Sequence, residues 1–265
     1  MTGKKWTPDT LGWVMIGTVL LLIVLFVVIM IVLRNRYIEV DSATNCPRDK
    51  AKTYPSTLLI IDRTDPMTPS QKLYLMGYVA ELKRSFILFE KVAIYPIDRT
   101  SGGSPMPLFE RCNPGSPEEA NVLFENPAQI TEKFETDFSR PFSLTIEQSV
   151  AQATAEISPI IETIQAVMSN HALDDRIKSK RLILVSDMLQ NVPDYSHYRQ
   201  GWSYNTFSRS AYAQRARCDL LGVRVTIVYL WRPSLSPEQV DAHLLFWEKF
   251  IQEQGGILDR VFKVR

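Results

Sequence analysis

Four oxygen-bearing side chains stand at the ends of apolar or helix-like segments, where an α/β sheet would bring them together: Asp62, Thr64, Ser158 and Asp187. Asp62 follows the apolar run 57–61, and Asp187 follows the run 181–185 after one serine. In open α/β sheets, side chains just past the carboxyl ends of parallel strands line the ligand crevice. Hard cations prefer carboxylate and hydroxyl oxygens, so the set predicts a site for Mg²⁺ or Mn²⁺ rather than for a thiol-binding metal.

The same residue types also have a purely structural explanation. Asp, Ser and Thr are preferred as helix N-caps, because their side chains accept hydrogen bonds from free backbone N–H groups. Ser158 precedes Pro159, and proline is favoured in the first turn of a helix. The sequence therefore admits either capping and turn chemistry or a shared metal crevice.

The order of these residues resembles the von Willebrand factor A (vWA) domain family. That family carries a metal-ion-dependent adhesion site on a D-x-S-x-S loop after the first strand, with a Thr before a later helix and an Asp after a central strand. By this resemblance, the ligands are Asp62, Thr64, Ser158 and Asp187. The segment 158–160, Ser-Pro-Ile, is similar to the Thr-Pro-Leu helix start of the family.

Two positions depart from the family pattern. Pro66 stands where the third loop residue should offer a hydroxyl, and Met188 stands where a glycine usually follows the final Asp. Asp65 or Thr68 is expected to supply the missing oxygen, directly or through water, because Mg²⁺ commonly keeps several water ligands.

The segments around these residues alternate between strand and helix patterns. This alternation from residue 56 to 265 predicts one α/β domain with a mainly parallel sheet and helices on both faces. By the resemblance, it is a Rossmann-like vWA-type sandwich with the first strand central. Strands are predicted at 57–61, 92–97, 108–111, 181–185, 223–231 and 258–264, and helices at 71–86, 158–171, 206–221 and 237–254. A helical insertion is predicted near 113–157, with patterns at 128–138 and 144–157.

An apolar segment precedes this domain. Residues 11–33 contain no charged residue, and a helix of about 20 apolar residues can span a bilayer. The segment is too long for a signal peptide and lacks a small-residue cleavage site. The predicted organisation is a tail at 1–10, a transmembrane helix at 11–33, a juxtamembrane linker at 34–55 and the vWA-like domain at 56–265, with the lipid bilayer contacted through residues 11–33.

The cysteines and the flanking charges point to different sides of the membrane. The basic residues are more numerous after the apolar segment than before it, which favours a cytoplasmic domain, although long domains cross membranes largely regardless of charge. Cys46 and Cys112 lie in loop-like surroundings, whereas Cys218 lies in a helix-like stretch. This arrangement favours one Cys46–Cys112 disulfide and an extracytoplasmic domain. Three unrelated free thiols are the alternative.

An aromatic loop follows Asp187 and would lie beside the predicted crevice. Its candidate partner-binding residues are Tyr195, Tyr198, Trp202 and Tyr204. Tyr and Trp are enriched at binding hot spots. The competing interpretation is a loop that folds onto its own domain. The three histidines have no metal-ligand spacing and receive no predicted role.

Composition and motifs limit the function. The chain has 265 residues and a net charge of +1, and it contains no recognisable nucleic-acid-binding motif, so no nucleic-acid partner is predicted. By the resemblance, the prediction is a membrane-anchored protein-binding or assembly module, not an enzyme, whose partners are membrane or envelope proteins. The alternative is a metal-dependent hydrolase or phosphoesterase that uses Asp62 and Asp187. No catalytic residue is assigned.

Overall fold

The computed structural model describes residues 8–36, 38–49, 53–97, 105–115, 126–151, 155–171 and 176–265. Parts of the predicted tail, linker and helical insertion therefore lie outside the described residues. The strands are β1 (Tyr54–Asp62), β2 (Lys91–Ile97), β3 (Phe109–Cys112), β4 (Ile177–Ser186), β5 (Arg224–Leu230) and β6 (Ile257–Val264). The α-helices are α1 (Pro8–Arg36), α2 (Pro69–Ser85), α3 (Pro127–Phe134), α4 (Arg140–Ala151), α5 (Ile160–His171), α6 (His197–Gln200), α7 (Tyr204–Ser208), α8 (Ala211–Arg215) and α9 (Pro237–Glu253), and a π-helical turn (Glu135–Ser139) joins α3 to α4.

The six strands form one sheet in the order β3-β2-β1-β4-β5-β6. Every neighbouring pair is parallel except β2–β3, which is antiparallel. Strand β1 lies inside the sheet between β2 and β4, as predicted. The predicted fold class is confirmed: a mixed α/β architecture with a mostly parallel sheet and helices on both faces. We call the side of the sheet where the five parallel strands end the carboxyl edge. The opposite side, where these strands begin, is the amino edge.

The inner strands have continuous apolar runs because both faces of the sheet are covered there. Successive side chains of a strand point to opposite faces, and in β1 the residues Leu58 and Ile60 join one core while Leu59 and Ile61 join the other. The first core contains α5 and α9, and the second contains α2 and α4. A parallel sheet with helices on both faces requires such continuous apolar runs.

Helix α1 is the predicted membrane segment. Gly12–Val32 is long enough to span a bilayer and has a mean hydropathy of 3.3, and none of it is buried against the other residues that the structure describes. A core helix of a soluble domain would be covered by its own protein. The exposure of this helix therefore supports a place in lipid.

The chain enters the domain at the amino edge, where a disulfide holds it. Cys46 and Cys112 are bonded, with Cα atoms 4.9 Å apart, so the predicted disulfide is confirmed. Thr44 accepts a backbone hydrogen bond from Cys112 N at 2.7 Å, and Val40 pairs with Pro47 in an isolated bridge. The described part of the predicted linker is thus folded against the start of the sheet.

The segment between β4 and β5 differs from the prediction. The single helix predicted at 206–221 is wrong, because the chain forms α7 and α8 and then an irregular stretch before β5. Arg209 is the C-cap of α7, and Ser210 caps α8 by accepting from Ala213 N at 3.1 Å. Cys218 therefore lies in a loop and is half-buried, not in a helix of the core.

Candidate functional site

Asp62 is the centre of a hydrogen-bonded cluster at the carboxyl edge. It is the last residue of β1, and Ser186 ends the neighbouring parallel strand β4. Its Oδ1 accepts from Thr64 N at 2.9 Å and from the Thr64 hydroxyl at 2.6 Å. Its Oδ2 accepts from the hydroxyls of Ser186 at 2.6 Å and Ser158 at 3.3 Å. Because a carboxylate offers about four lone-pair positions, these bonds satisfy Asp62 completely.

Asp187 is held by an arginine. Its Oδ2 accepts from Arg232 Nε at 2.6 Å, and its Oδ1 accepts from Leu189 N at 2.9 Å. Arg232 follows β5 closely, so it reaches the same edge of the sheet from the next strand. Its guanidinium also donates to the carbonyl of Pro66 at 3.1 Å and lies 3.4 Å from a carboxylate oxygen of Asp65.

The two buried carboxylates influence each other. Burial raises the pKa of Asp62 above its ordinary value, although the Ser186 and Thr64 hydrogen bonds oppose this shift. Burial and the nearby charge of Asp62 raise the pKa of Asp187 to about 6, while Arg232 acts in the opposite direction.

The structure brings all four predicted ligand residues to the carboxyl edge of the sheet. Three of them, Asp62, Thr64 and Ser158, are in direct hydrogen-bond contact.

The residues expected to replace the missing loop hydroxyl have other contacts. Thr68 caps α2: its hydroxyl accepts from Gln71 N at 3.2 Å, and its backbone N–H donates to the Gln71 side chain at 3.0 Å. Asp65 is partly exposed and faces Arg232. The Pro66 carbonyl, not a side chain, points into the site, where it accepts from the same arginine.

Met188, which follows Asp187, takes a backbone conformation that favours glycine. Its φ of 63° lies in the left-handed region, which a residue with a β-carbon adopts at a cost of about 1 kcal/mol or more. Its N–H donates to the Ser186 hydroxyl at 2.8 Å, and its carbonyl accepts from the Trp247 indole at 2.9 Å. These contacts and a fully buried side chain offset the strain.

The oxygen chemistry of the site suits a hard cation, but the observed arrangement does not fit a divalent ion bound to both carboxylates. All lone-pair positions of Asp62 are used, and a guanidinium occupies Oδ2 of Asp187. A directly bound Mg²⁺ or Mn²⁺ would have to displace Arg232 and break hydrogen bonds of Asp62. Within the described residues, no group of three or more His, Cys, Asp or Glu is arranged to hold a metal ion. Metal use is therefore still a prediction.

The predicted aromatic contact residues divide into three environments. Tyr195 is 4% exposed and packs against Phe207 and Tyr212, which corrects its assignment to a partner surface. Tyr198 is 65% exposed. Burial of part of its ring and the nearby charges of Asp187 and Asp65 raise its pKa to about 12. Trp202 and Tyr204 are half-buried and line a surface cleft of about 480 Å³.

A buried histidine pair lies behind the crevice. His243 Nε2 is 3.0 Å from His197 Nδ1 and accepts from the Trp247 indole at 3.1 Å, while the Tyr229 hydroxyl lies 2.9 Å from His243 Nδ1. Burial lowers the pKa of His243 to about 4 and holds the pKa of His197 well below its ordinary value. Both rings are therefore neutral at pH 7 and support the loop that follows β4.

Two site residues, Ser186 and Arg232, were missed by the sequence interpretation. Ser186 ends the same apolar run that identified Asp187, and Arg232 stands just past the long apolar run 223–231. Applying the strand-end rule to every predicted parallel strand would have found both. The histidine pair has no such signal, because 46 positions separate its members.

Comparison with known proteins adds little to this geometry. No protein-family model matches the sequence, and no curated protein matches it. Among solved structures, the chain is similar to an aerotolerance-related membrane protein from Bacteroides fragilis NCTC 9343 with multiple mutations to serines. The two are 11% identical, the match covers 80% of this chain and 92% of the other, and the TM-score is 0.37. At this similarity the neighbour carries no argument about the site or the function.

Proposed function

We propose that this chain is a membrane-anchored protein-binding or assembly module whose partner contacts the crevice at the carboxyl edge. The position of Arg232 is the observation that carries the proposal. Its side chain is bound by Asp187, by Asp65 and by the Pro66 carbonyl, beside the exposed ring of Tyr198. Arginine and tyrosine are the residue types that dominate binding energy at protein interfaces, especially where neighbouring contacts hold them rigid.

The charge of the crevice indicates the charge of the partner side chain that would bind there. Asp62, Asp65 and Asp187 supply three carboxylates, and Arg232 is the one cation in direct contact with them among the described residues. A partner carboxylate would meet this excess of negative charge without compensation. We therefore propose that a basic side chain of a membrane or envelope protein enters the crevice, and that no divalent ion is needed for this contact.

The exposed ring of Tyr198 provides a direct test. A photo-crosslinking amino acid is placed at position 198 of the full chain in native membranes, and the same amino acid at position 74 is the matched control, because Tyr74 is also partly exposed but lies on α2. We expect an adduct with a membrane protein from position 198 and none from position 74. The adduct should persist in EDTA and decrease in Asp65→Lys, which adds a positive charge to the crevice.

Two other results would each reject one part of the proposal. Equal adducts from both positions would mean that position 198 has no specific partner. An adduct that is lost in EDTA and restored by Mg²⁺ would replace the basic-partner interpretation by a metal-mediated contact.

A metal-dependent hydrolase is the second candidate, favoured by the buried pair of Asp62 and Asp187 at a strand edge. The hydrolase activity is tested by measuring hydrolysis of a generic phosphoester by the purified full chain in the presence of Mg²⁺ or Mn²⁺. Turnover that disappears in Asp62→Asn would support catalysis. The binding-module proposal expects no such Asp62-dependent turnover.

A further inference from the structure

The amino edge carries basic side chains that have no acidic partner among the described residues. Lys178 and Lys180 lie near the start of β4, and Arg224 begins β5. Two other basic side chains near this edge are paired: Arg181 binds Glu90 at 3.0 Å, and Lys91 of β2 binds Glu110 of β3 at 2.7 Å. Lys178 and Lys180 therefore leave unmatched positive charge on one face at the start of β4. Arg224, in register with Arg181, adds a basic side chain on the other face at the start of β5.

Large apolar side chains are exposed on the same edge. Leu221, just before β5, is 80% exposed, and Ile257, the first residue of β6, is 55% exposed. Ile87 and Leu88, just before β2, are 52% and 44% exposed. Scattered apolar side chains are common on protein surfaces. Here they share one edge with unmatched basic residues, and this combination is typical of surfaces that lie in the interfacial layer of a bilayer.

The chain itself brings this edge close to the membrane. Helix α1 ends at Arg36, and Val40 already pairs with Pro47. The four residue steps from Arg36 to Val40 span at most about 14 Å when fully extended. Pro47 accepts a hydrogen bond from the Arg176 guanidinium at 3.2 Å, next to β4, and the disulfide fixes Cys46 to the end of β3. The anchor therefore cannot reach its bilayer unless the amino edge is near the bilayer surface.

We propose that the amino edge is a membrane-contact surface, at which Lys178, Lys180 and Arg224 bind anionic phospholipid headgroups. Leu221 and Ile257 enter the interfacial layer beside them. Each basic residue near an anionic surface strengthens binding about fivefold, so the three together orient the domain with its crevice facing away from the lipid. This inference rests on the membrane anchoring of the proposed function but not on its crevice.

Lysine labelling of the full chain in lipid nanodiscs tests the contact. One set of discs contains phosphatidylcholine alone, and the other contains about one-third phosphatidylglycerol. An amine-reactive reagent is applied briefly, and labelling is read by mass spectrometry at Lys178, with Lys72 at the start of α2 as the internal reference. We expect labelling of Lys178 to be about threefold slower in the anionic discs, and to recover at about 0.5 M salt, where screening is strong. Labelling of Lys72 should not change.

Charge reversal supplies the matched variants. In the Lys180→Glu/Arg224→Glu double variant, the anionic lipid should no longer protect Lys178, whereas Lys72→Glu should leave that protection intact. Equal labelling of Lys178 in both kinds of disc, with the chain incorporated, would overturn the membrane-contact surface while leaving the anchor and the crevice standing. If the chain fails to incorporate into any disc, both the membrane anchoring and the membrane-contact surface are rejected.

Discussion

Arg232 donates its Nε hydrogen to Oδ2 of Asp187 across 2.6 Å, although 45 positions separate the two residues in the chain. Both side chains leave neighbouring parallel strands at the same edge, so the sheet order alone brings them together. The contact places a fixed positive charge where a divalent cation would otherwise neutralise the buried acids. Binding of a cation and the position of Arg232 are therefore coupled.

This coupling predicts that Arg232→Ala strengthens Mg²⁺ binding. A unit positive charge about 5 Å from a divalent ion opposes its binding by about 1.7 kcal/mol even at the dielectric constant of water, so the affinity should increase at least about tenfold. Isothermal titration calorimetry on the wild type and the variant measures the difference. Arg232→Lys, which keeps the charge, is the control and should stay close to the wild type. Tighter Mg²⁺ binding by the wild type than by Arg232→Ala would contradict the coupling.

Loss of the disulfide should destabilise the domain more than loss of the free cysteine. The Cys46–Cys112 bond closes a loop with a sequence separation of 66, for which chain entropy predicts a contribution of about 4 kcal/mol. We expect a large decrease in the free energy of unfolding for Cys46→Ser/Cys112→Ser in denaturant titrations. Cys218→Ser, at a half-buried thiol without a disulfide, is the control. Similar losses in both variants would mean that the bond does not support the fold.

Acidification should destabilise the domain through the buried histidines. The pKa of His243 is about 4 in the folded chain, below the ordinary value of 6.5, so the unfolded chain binds the proton more readily. The associated stability is complete above pH 6.5 and is lost as the pH falls toward 4. Because of His243 alone, the free energy of unfolding should be about 2 kcal/mol lower at pH 5 than at pH 7. Denaturant titrations at the two pH values measure the loss, and His197→Gln/His243→Gln should reduce the pH dependence. An unchanged dependence in that variant would assign the effect to other groups.

The disulfide also predicts an extracytoplasmic domain, because such bonds persist in oxidising compartments. A reporter cysteine at the exposed Ser70, in a Cys218→Ser background, should react with a membrane-impermeant maleimide in intact cells. Ser70 lies in the first turn of α2, away from the anchor. Reaction only after lysis would place the domain in the cytoplasm.

The sequence by itself determined the parallel strands, the membrane helix and the polar residues at the ends of two strands. Apolar runs specified the parallel strands, the charge-free segment 11–33 specified α1, and the strand-end positions of Asp62 and Asp187 located the crevice. These features are local, because burial on both faces of a sheet or in lipid dictates a recognisable run of side chains. The disulfide was predicted by assigning Cys218 to a helix, although the structure places Cys218 in a loop; Cys46 and Cys112 pair because both lie at the amino edge.

Only the tertiary structure decided which side chains meet. It placed Arg232 on Asp187, saturated Asp62 with three hydroxyls and one backbone N–H, and joined His197 to His243. It also turned Tyr195 inward, and replaced a predicted helix by two short ones whose ends are capped locally. Sequence periodicity reports whether a residue is buried, but it does not report its partner, because the partner depends on the order of the strands and on the path of the loops between them.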